Sequence, residues 1–122
     1  ERHRLTAPHF AYIRVAEGCD HKCSFCAIPG FRGGFRSKPF DVVLAEAERL
    51  VASGVRELCL IAEDTNQYGS DWGERDGLRL ADLLHALAAN PSLKWIRLLC
   101  TRPPAALPRA LCCSPSWPAP RG

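Results

Sequence analysis

An α/β fold on a parallel sheet, in the order strand, helix, strand, helix, strand, is what this sequence of 122 residues predicts. Three observations predict it. Apolar runs at 10–16, 55–62 and 94–100 have strand length and no helical period. The two stretches between them repeat apolar residues every three or four positions, as helices with one buried face do. The first two strands also run straight into loops rich in cysteine and carboxylate, and chemistry in parallel folds gathers beyond the carboxyl ends of the strands.

Taken in order, Phe10-Ala-Tyr-Ile-Arg-Val-Ala16 reads as a buried strand. Residues 29–38, with three glycines, read as an irregular connection. A helix opens at Pro39, a residue suited to the first helical position because the missing N–H is unpaired there anyway. Ser37, or Lys38, would sit near its cap. Val43, Leu44, Ala47, Leu50 and Val51 form its buried stripe, and Gly54 ends it in a left-handed conformation. The run 55–62 is nearly continuous in apolar residues and suits a strand covered on both faces. Glu63 to Gly69 form a polar loop that extends through Gly73 and Gly77. A second helix over 78–89 buries Leu80, Leu83, Leu84 and Leu87, and Asn90-Pro91 stops it. Lys94 to Cys100 supply the third strand.

Composition narrows the classes. Sixteen basic and 13 acidic residues leave a formal charge of +3, too mild to argue for nucleic acid. Arg32, Arg36 and Lys38 cluster after the cysteine loop, as a solvated loop or as contacts to an anionic ligand. No run of about 18 apolar residues exists to span a membrane, and Glu1-Arg-His-Arg lacks the apolar segment of a signal peptide. Cytoplasm is the expected location. The sequence holds no Met and reads as a piece of something longer or a processed product. From Arg102 to Gly122 come six prolines and two adjacent cysteines without periodicity. Such a stretch builds neither helix nor central strand, so a folded part at 1–101 and a disordered tail at 102–122 are expected.

The chemistry sits in Cys19-Asp20-His21-Lys22-Cys23-Ser24-Phe25-Cys26. Three thiolates on one short loop can cap three corners of a cubane iron–sulfur cluster and leave the fourth iron open. Electron-transfer clusters close that corner with a fourth cysteine, so a missing ligand points to chemistry at the iron. Zinc is the competing reading, with His21, Cys59 or Cys100 completing the set. Structural zinc sites usually pair their ligands in two knuckles, and no second Cys-x-x-Cys lies outside this loop. A disulfide framework fits poorly with seven cysteines, an odd count. Cys59, between Leu58 and Leu60, reads as packed core.

The spacing of three residues, then two, with an aromatic before the last Cys, resembles radical S-adenosylmethionine (SAM) enzymes. Residues 10–99 more closely resemble the radical-SAM core of the methylthiotransferases. Tyr12 to Cys26 is similar to that family's cluster segment, and Pro29, Arg32, Gly33 and Ser37 stand where its next segment wants them. The resemblance implies a partial parallel (βα) barrel, stopping in the third of six units. It implies a [4Fe-4S] cluster on Cys19, Cys23 and Cys26 that cleaves SAM to a 5′-deoxyadenosyl radical. Phe25 would set a ring near the adenine, or pack at the loop base. Glu63, Asp64 and Thr65 would face cofactor or substrate, with Asn66 and Tyr68 as weaker candidates; solvated loop polarity is the alternative for all of them.

Two branches of the family compete. One modifies a transfer-RNA adenosine and carries Asn-Val after the second strand; the other modifies an aspartate of a small-subunit ribosomal protein and carries Asp-Thr. Asp64-Thr65, with Tyr68-Gly69 and Trp95 to Leu99, resembles the ribosomal branch. Glu63 departs from it, since Gln is typical there. The family also carries an N-terminal domain with a second cluster and a C-terminal RNA-binding-type β domain, neither of which is in this sequence. An electron donor is implied as a partner, and RNA contact is left open. The tail after Arg102 has the composition of GC-rich DNA read in a shifted frame, and is expected to be a frameshift or truncation product. A half barrel of this kind should expose sheet face and edge, and be marginally stable or aggregate alone.

Overall fold

A computed structural model describes residues 6–73 and 78–101 of the chain. The tail at 102–122, His3 and Gly77 lie outside the described residues. Within them, strands β1 (Phe10–Arg14), β4 (Glu57–Ile61) and β5 (Trp95–Leu98) form a parallel sheet in the order β1-β4-β5. The register places Ala11 beside Leu58 and Ile96, and Ile13 beside Leu60 and Leu98. Helices α2 (Phe40–Ala52) and α3 (Leu80–Ala88) cover that face of the sheet. Val43, Ala47 and Val51 of α2 and Leu83 and Leu87 of α3 are buried, with Leu44, Leu50, Leu80 and Leu84 packed at the margin. These are the stripes expected from the three- and four-residue spacing. Full burial of each aliphatic side chain contributes roughly 1.5–3 kcal/mol, so this helix–sheet seam is the main source of stability.

Three local expectations change. The first strand ends at Arg14; after buried Val15, a two-residue strand β2 (Ala16–Glu17) pairs antiparallel with β3 (Arg36–Ser37). The intervening segment is not wholly irregular: Ile28–Arg32 form a short helix α1. Pro29 lies in its first turn, where a missing N–H costs nothing. Pro39, not Ser37 or Lys38, is the cap residue of α2, and no side chain caps it. Ser37 Oγ is engaged elsewhere, accepting from the Gly69 N–H at 2.8 Å. Gly54, just past the end of α2, has φ +101°, the positive φ expected of it.

Among the described residues the sheet's second face is open, as expected of a half barrel, although the apolar run 55–62 by itself suited a strand covered on both faces. Phe10, Tyr12, Arg14, Glu57, Cys59, Ile61, Trp95 and Arg97 alternate onto it by register. No helix among the described residues covers it, and Tyr12 is 44% and Trp95 66% exposed. Strand β4 is nonetheless buried, because it lies between two neighbours and because the Arg97–Glu57 ion pair crosses beside Cys59. Cys59 is packed as expected. Burial pushes its thiol pKa up, with the Glu57 carboxylate adding to the effect.

Candidate functional site

The carboxyl ends of all three parallel strands meet on one rim. From β1 the chain passes through β2 into the cysteine loop; from β4 it enters Glu63–Gln67; from β5 it reaches Cys100. Side chains lock these exits together. Arg14 Nη1 donates to Glu63 Oε1 at 3.3 Å, and His21 Nε2 lies 2.7 Å from Asp64 Oδ2. The Thr65 N–H donates to the Cys100 carbonyl at 3.1 Å, with Thr65 Oγ1 at 3.4 Å from the same oxygen. Two loops from distant sequence thus share one rim, as the fold order requires.

The cysteine loop itself has no regular structure from Gly18 to Cys23, so specific contacts hold it. Gly18 makes the first of them possible. It has φ +78°, and a Cβ there would stand 2.2 Å from the Gly34 carbonyl oxygen, so only glycine fits. The Cys19 N–H donates to the Gly33 carbonyl at 3.3 Å, and Asp20 Oδ1 accepts from the Phe35 N–H at 2.8 Å. Cys19, Cys23 and Cys26 are free thiols, each half-buried. Among the described residues no three His, Cys, Asp or Glu side chains are gathered closely enough for one metal ion. A zinc ion needs its four donors around a single centre at about 2.0–2.3 Å. Cys59 and Cys100, the distant candidates for that role, do not join the loop in such a group. A cubane places each thiolate on a different iron and asks for wider spacing. Three unbonded, partly accessible thiols on one loop suit it chemically.

The remaining sequence candidates divide by what they touch. Phe25 is 74% exposed, so its ring is not loop-base packing and is available to stack on a ligand. Glu63 Oε1 is bound to Arg14, whereas Glu63 Oε2 is buried and has no hydrogen-bond partner among the described residues. A buried acceptor left open calls for a donor from outside. Asp64 and Thr65 are buried and hydrogen-bonded within the chain: Asp64 Oδ1 caps the 3₁₀ turn Thr65–Gln67 through the Asn66 N–H at 3.1 Å. Tyr68 is fully buried, its hydroxyl donating to the Lys38 carbonyl at 2.9 Å. Sequence reasoning passed over Gln67, whose Nε2 lies 3.3 Å from Asp64 Oδ2 and 3.9 Å from Cys19 Sγ. Its place three residues after Asp64 on a tight turn was the available signal. The basic cluster also resolves. Arg36 and Lys38, with Arg14, Ser37 and Glu17, line an open cavity of about 330 Å³ beside β2. Its cations are largely matched by Glu17, Glu63 and Glu46.

A parallel-strand rim built around a three-cysteine loop defines the class of protein. Residues 13–111 match the family model of the Radical SAM superfamily. The chain belongs to that superfamily, and its three-stranded sheet is part of a radical-SAM barrel. Members of this superfamily use a [4Fe-4S] cluster and S-adenosylmethionine. Among similar proteins, the "Ribosomal protein uS12 methylthiotransferase RimO" of Koribacter versatilis is 55% identical over 98 residues, covering 80% of this chain and 19% of its own length. The protein of that name from Solibacter usitatus is 53% identical over 100 residues, 80% of this chain and 21% of its own. That from Akkermansia muciniphila is 48% identical over 114 residues, 84% and 25%. The chain therefore spans about a fifth to a quarter of the length of these curated relatives.

Proposed function

We propose that this chain is the cluster-bearing, SAM-binding segment of a methylthiotransferase that modifies an aspartate of ribosomal protein uS12. The observation that carries the reading is identity of about half over four-fifths of the chain to relatives bearing that name. Asp64-Thr65 after β4 supports the ribosomal branch over the transfer-RNA one. When bound, the cluster supplies one-electron reduction of SAM.

The chain's own residues then have defined tasks. Cys19, Cys23 and Cys26 hold three irons. Glu63 is kept oriented by Arg14 at the rim, where its carboxylate would offer an acceptor toward the bound cofactor. Phe25 offers a ring face to the adenine. Thr65 fixes the β4 exit to the β5 exit, keeping the rim closed on that side. The whole enzyme would add a second cluster on an N-terminal domain, take electrons from a separate donor, and work in the cytoplasm where ribosomal proteins are made. Contact with RNA is left open by this reading. The division at 101 is part of the same proposal, although the family match runs on to residue 111.

A graft tests this reading. Residues 6–101 would replace their counterpart in the Koribacter versatilis relative, and the product would be incubated with uS12 and transfer RNA together, SAM, sulfide and reductant. A methylthio group on an aspartyl peptide, lost in Cys23→Ala, is the expected result. Methylthio-adenosine in transfer RNA instead would move the chain to the other branch.

A further inference from the structure

We infer that Asp64 is a positioning residue for the cysteine loop, acting through His21 and Gln67 rather than by touching the cofactor. The inference rests on Cys19, Cys23 and Cys26 being the cluster ligands. Asp64 is 2% exposed, so it has no free face to offer a ligand. Its two oxygens serve two purposes. Oδ1 accepts from the Asn66 N–H and shapes the turn it begins. Oδ2 accepts from His21 Nε2 at 2.7 Å and Gln67 Nε2 at 3.3 Å. A carboxylate only accepts, so His21 carries its proton on Nε2 and Gln67 turns its NH₂ toward Asp64. The second amide hydrogen of Gln67 is then left for Cys19 Sγ, 3.9 Å away.

The position of His21 makes this matter. It is the middle residue between Cys19 and Cys23. Gly18, Cys19 and Asp20 are tied to the segment 33–35, on the side of the hairpin. His21 and Gln67 tie the loop to the opposite side, the exit of β4. Without that tie the described residues anchor the loop along one margin only, and the ligand thiols are free to swing away from the rim. A buried carboxylate is an effective anchor because hydrogen bonds to a charged acceptor are stronger than neutral ones.

The test begins with the metal-free full chain and amide hydrogen exchange over residues 19–26. Losing a hydrogen bond to a charged group should speed exchange there about tenfold, both in Asp64→Asn and in His21→Ala. The double variant should be no faster than either single one. His21→Gln, which keeps a side-chain donor, should restore slow exchange, a rescue that general loosening would not show. The same variants, reconstituted with iron and sulfide, should retain iron in the same order. Additive effects, or faster exchange confined to 64–68 with the loop unchanged, would overturn the inference and leave Asp64 as a turn cap. His21 is partly exposed, so His21→Ala decides the matter even if Asp64→Asn does not fold. A wild-type chain that takes up no iron but keeps a slow-exchanging loop would overturn the cluster reading and leave the tie intact.

Discussion

Tyr68 shows how a single side chain in this molecule can be structural while looking functional. It follows Asp64-Thr65 in a loop of polar residues, yet it is fully buried, edge-on to Trp72 at 5.2 Å between ring centroids. Burial raises its phenol pKa, and the carboxylates of Asp71 and Asp41 push the same way. A group whose folded pKa is raised stabilises the fold fully below its unfolded value, near pH 10, and that stabilisation is lost as pH rises beyond it. Stability should therefore fall above about pH 10 by up to about 1.4 kcal/mol per pH unit from this group. Urea titrations from pH 8 to 11 should show this slope in the wild type and a shallower one in Tyr68→Phe. That variant should also lose about 1 kcal/mol at neutral pH, because the Lys38 carbonyl loses its donor.

Reactivity separates the cysteines. Cys59 is buried with a raised thiol pKa, whereas Cys19, Cys23 and Cys26 are half-buried on the loop. Iodoacetamide at pH 8 should label the three loop thiols well before Cys59 in metal-free protein, as followed by peptide mass. Cys59 modified first would mean that β4 is not the central strand. Much of this was readable from the residues: the three loop cysteines and the packed Cys59 each carry their reading in their neighbours. Asp64 and Thr65 were not readable in the same way. A polar residue in a loop looks the same in sequence whether it faces a ligand or a neighbouring loop, and the partners of Asp64 and Thr65 lie about 40 residues away.

At the scale of elements, α2 and α3 were plain because each has one apolar stripe with a helical period. Strand β4 was plain because its apolar run is strand-length and bounded by Gly54 and a polar loop. The small pieces were not: β2 and β3 are two residues each, and the Ser70–Trp72 turn is three. Pairs that short carry no periodic signal, and tertiary contacts such as Ser37 with Gly69 and Asp71 decide them. Gly69 is where this hairpin meets the β4 loop. It has φ +80°, and a Cβ would stand 2.1 Å from the Leu78 carbonyl oxygen. Gly69→Ala should destabilise the chain by more than the roughly 1 kcal/mol of an ordinary glycine replacement, because backbone must shift. Gly73→Ala, which meets nothing within 4 Å but has φ +73°, carries conformational strain alone. Thermal melts of the two variants should rank Gly69→Ala as the less stable; equal melting temperatures would remove the close approach from the account.

At the scale of the whole molecule, the described residues cover the sheet on one face only. The helices cover Ala11, Ile13, Leu58 and Leu60, while Tyr12 and Trp95 stand exposed on the other face. In a complete barrel that face lines the interior, and relatives about four times as long have the chain to enclose it. The 122-residue chain should accordingly self-associate through this face and the β5 edge. Sedimentation should show Trp95→Lys shifting the population toward monomer, whereas Lys22→Ala on the cysteine loop should not. The parallel order, and the rim where the cysteine loop meets the exits of β4 and β5, followed from strand–helix alternation. The open inner face followed from the missing barrel units and not from the run 55–62, because an apolar run reads alike whether helices or neighbouring strands bury it.

The central claim is that three loop thiols hold a cluster with one iron left for SAM. It is tested most directly by anaerobic reconstitution of the chain with iron and sulfide, followed by EPR of the reduced protein with and without SAM. A four-iron content and a reduced-cluster signal that changes on adding SAM, both lost in Cys23→Ala, are the predicted result. A colourless protein, or a cluster signal indifferent to SAM, would contradict it.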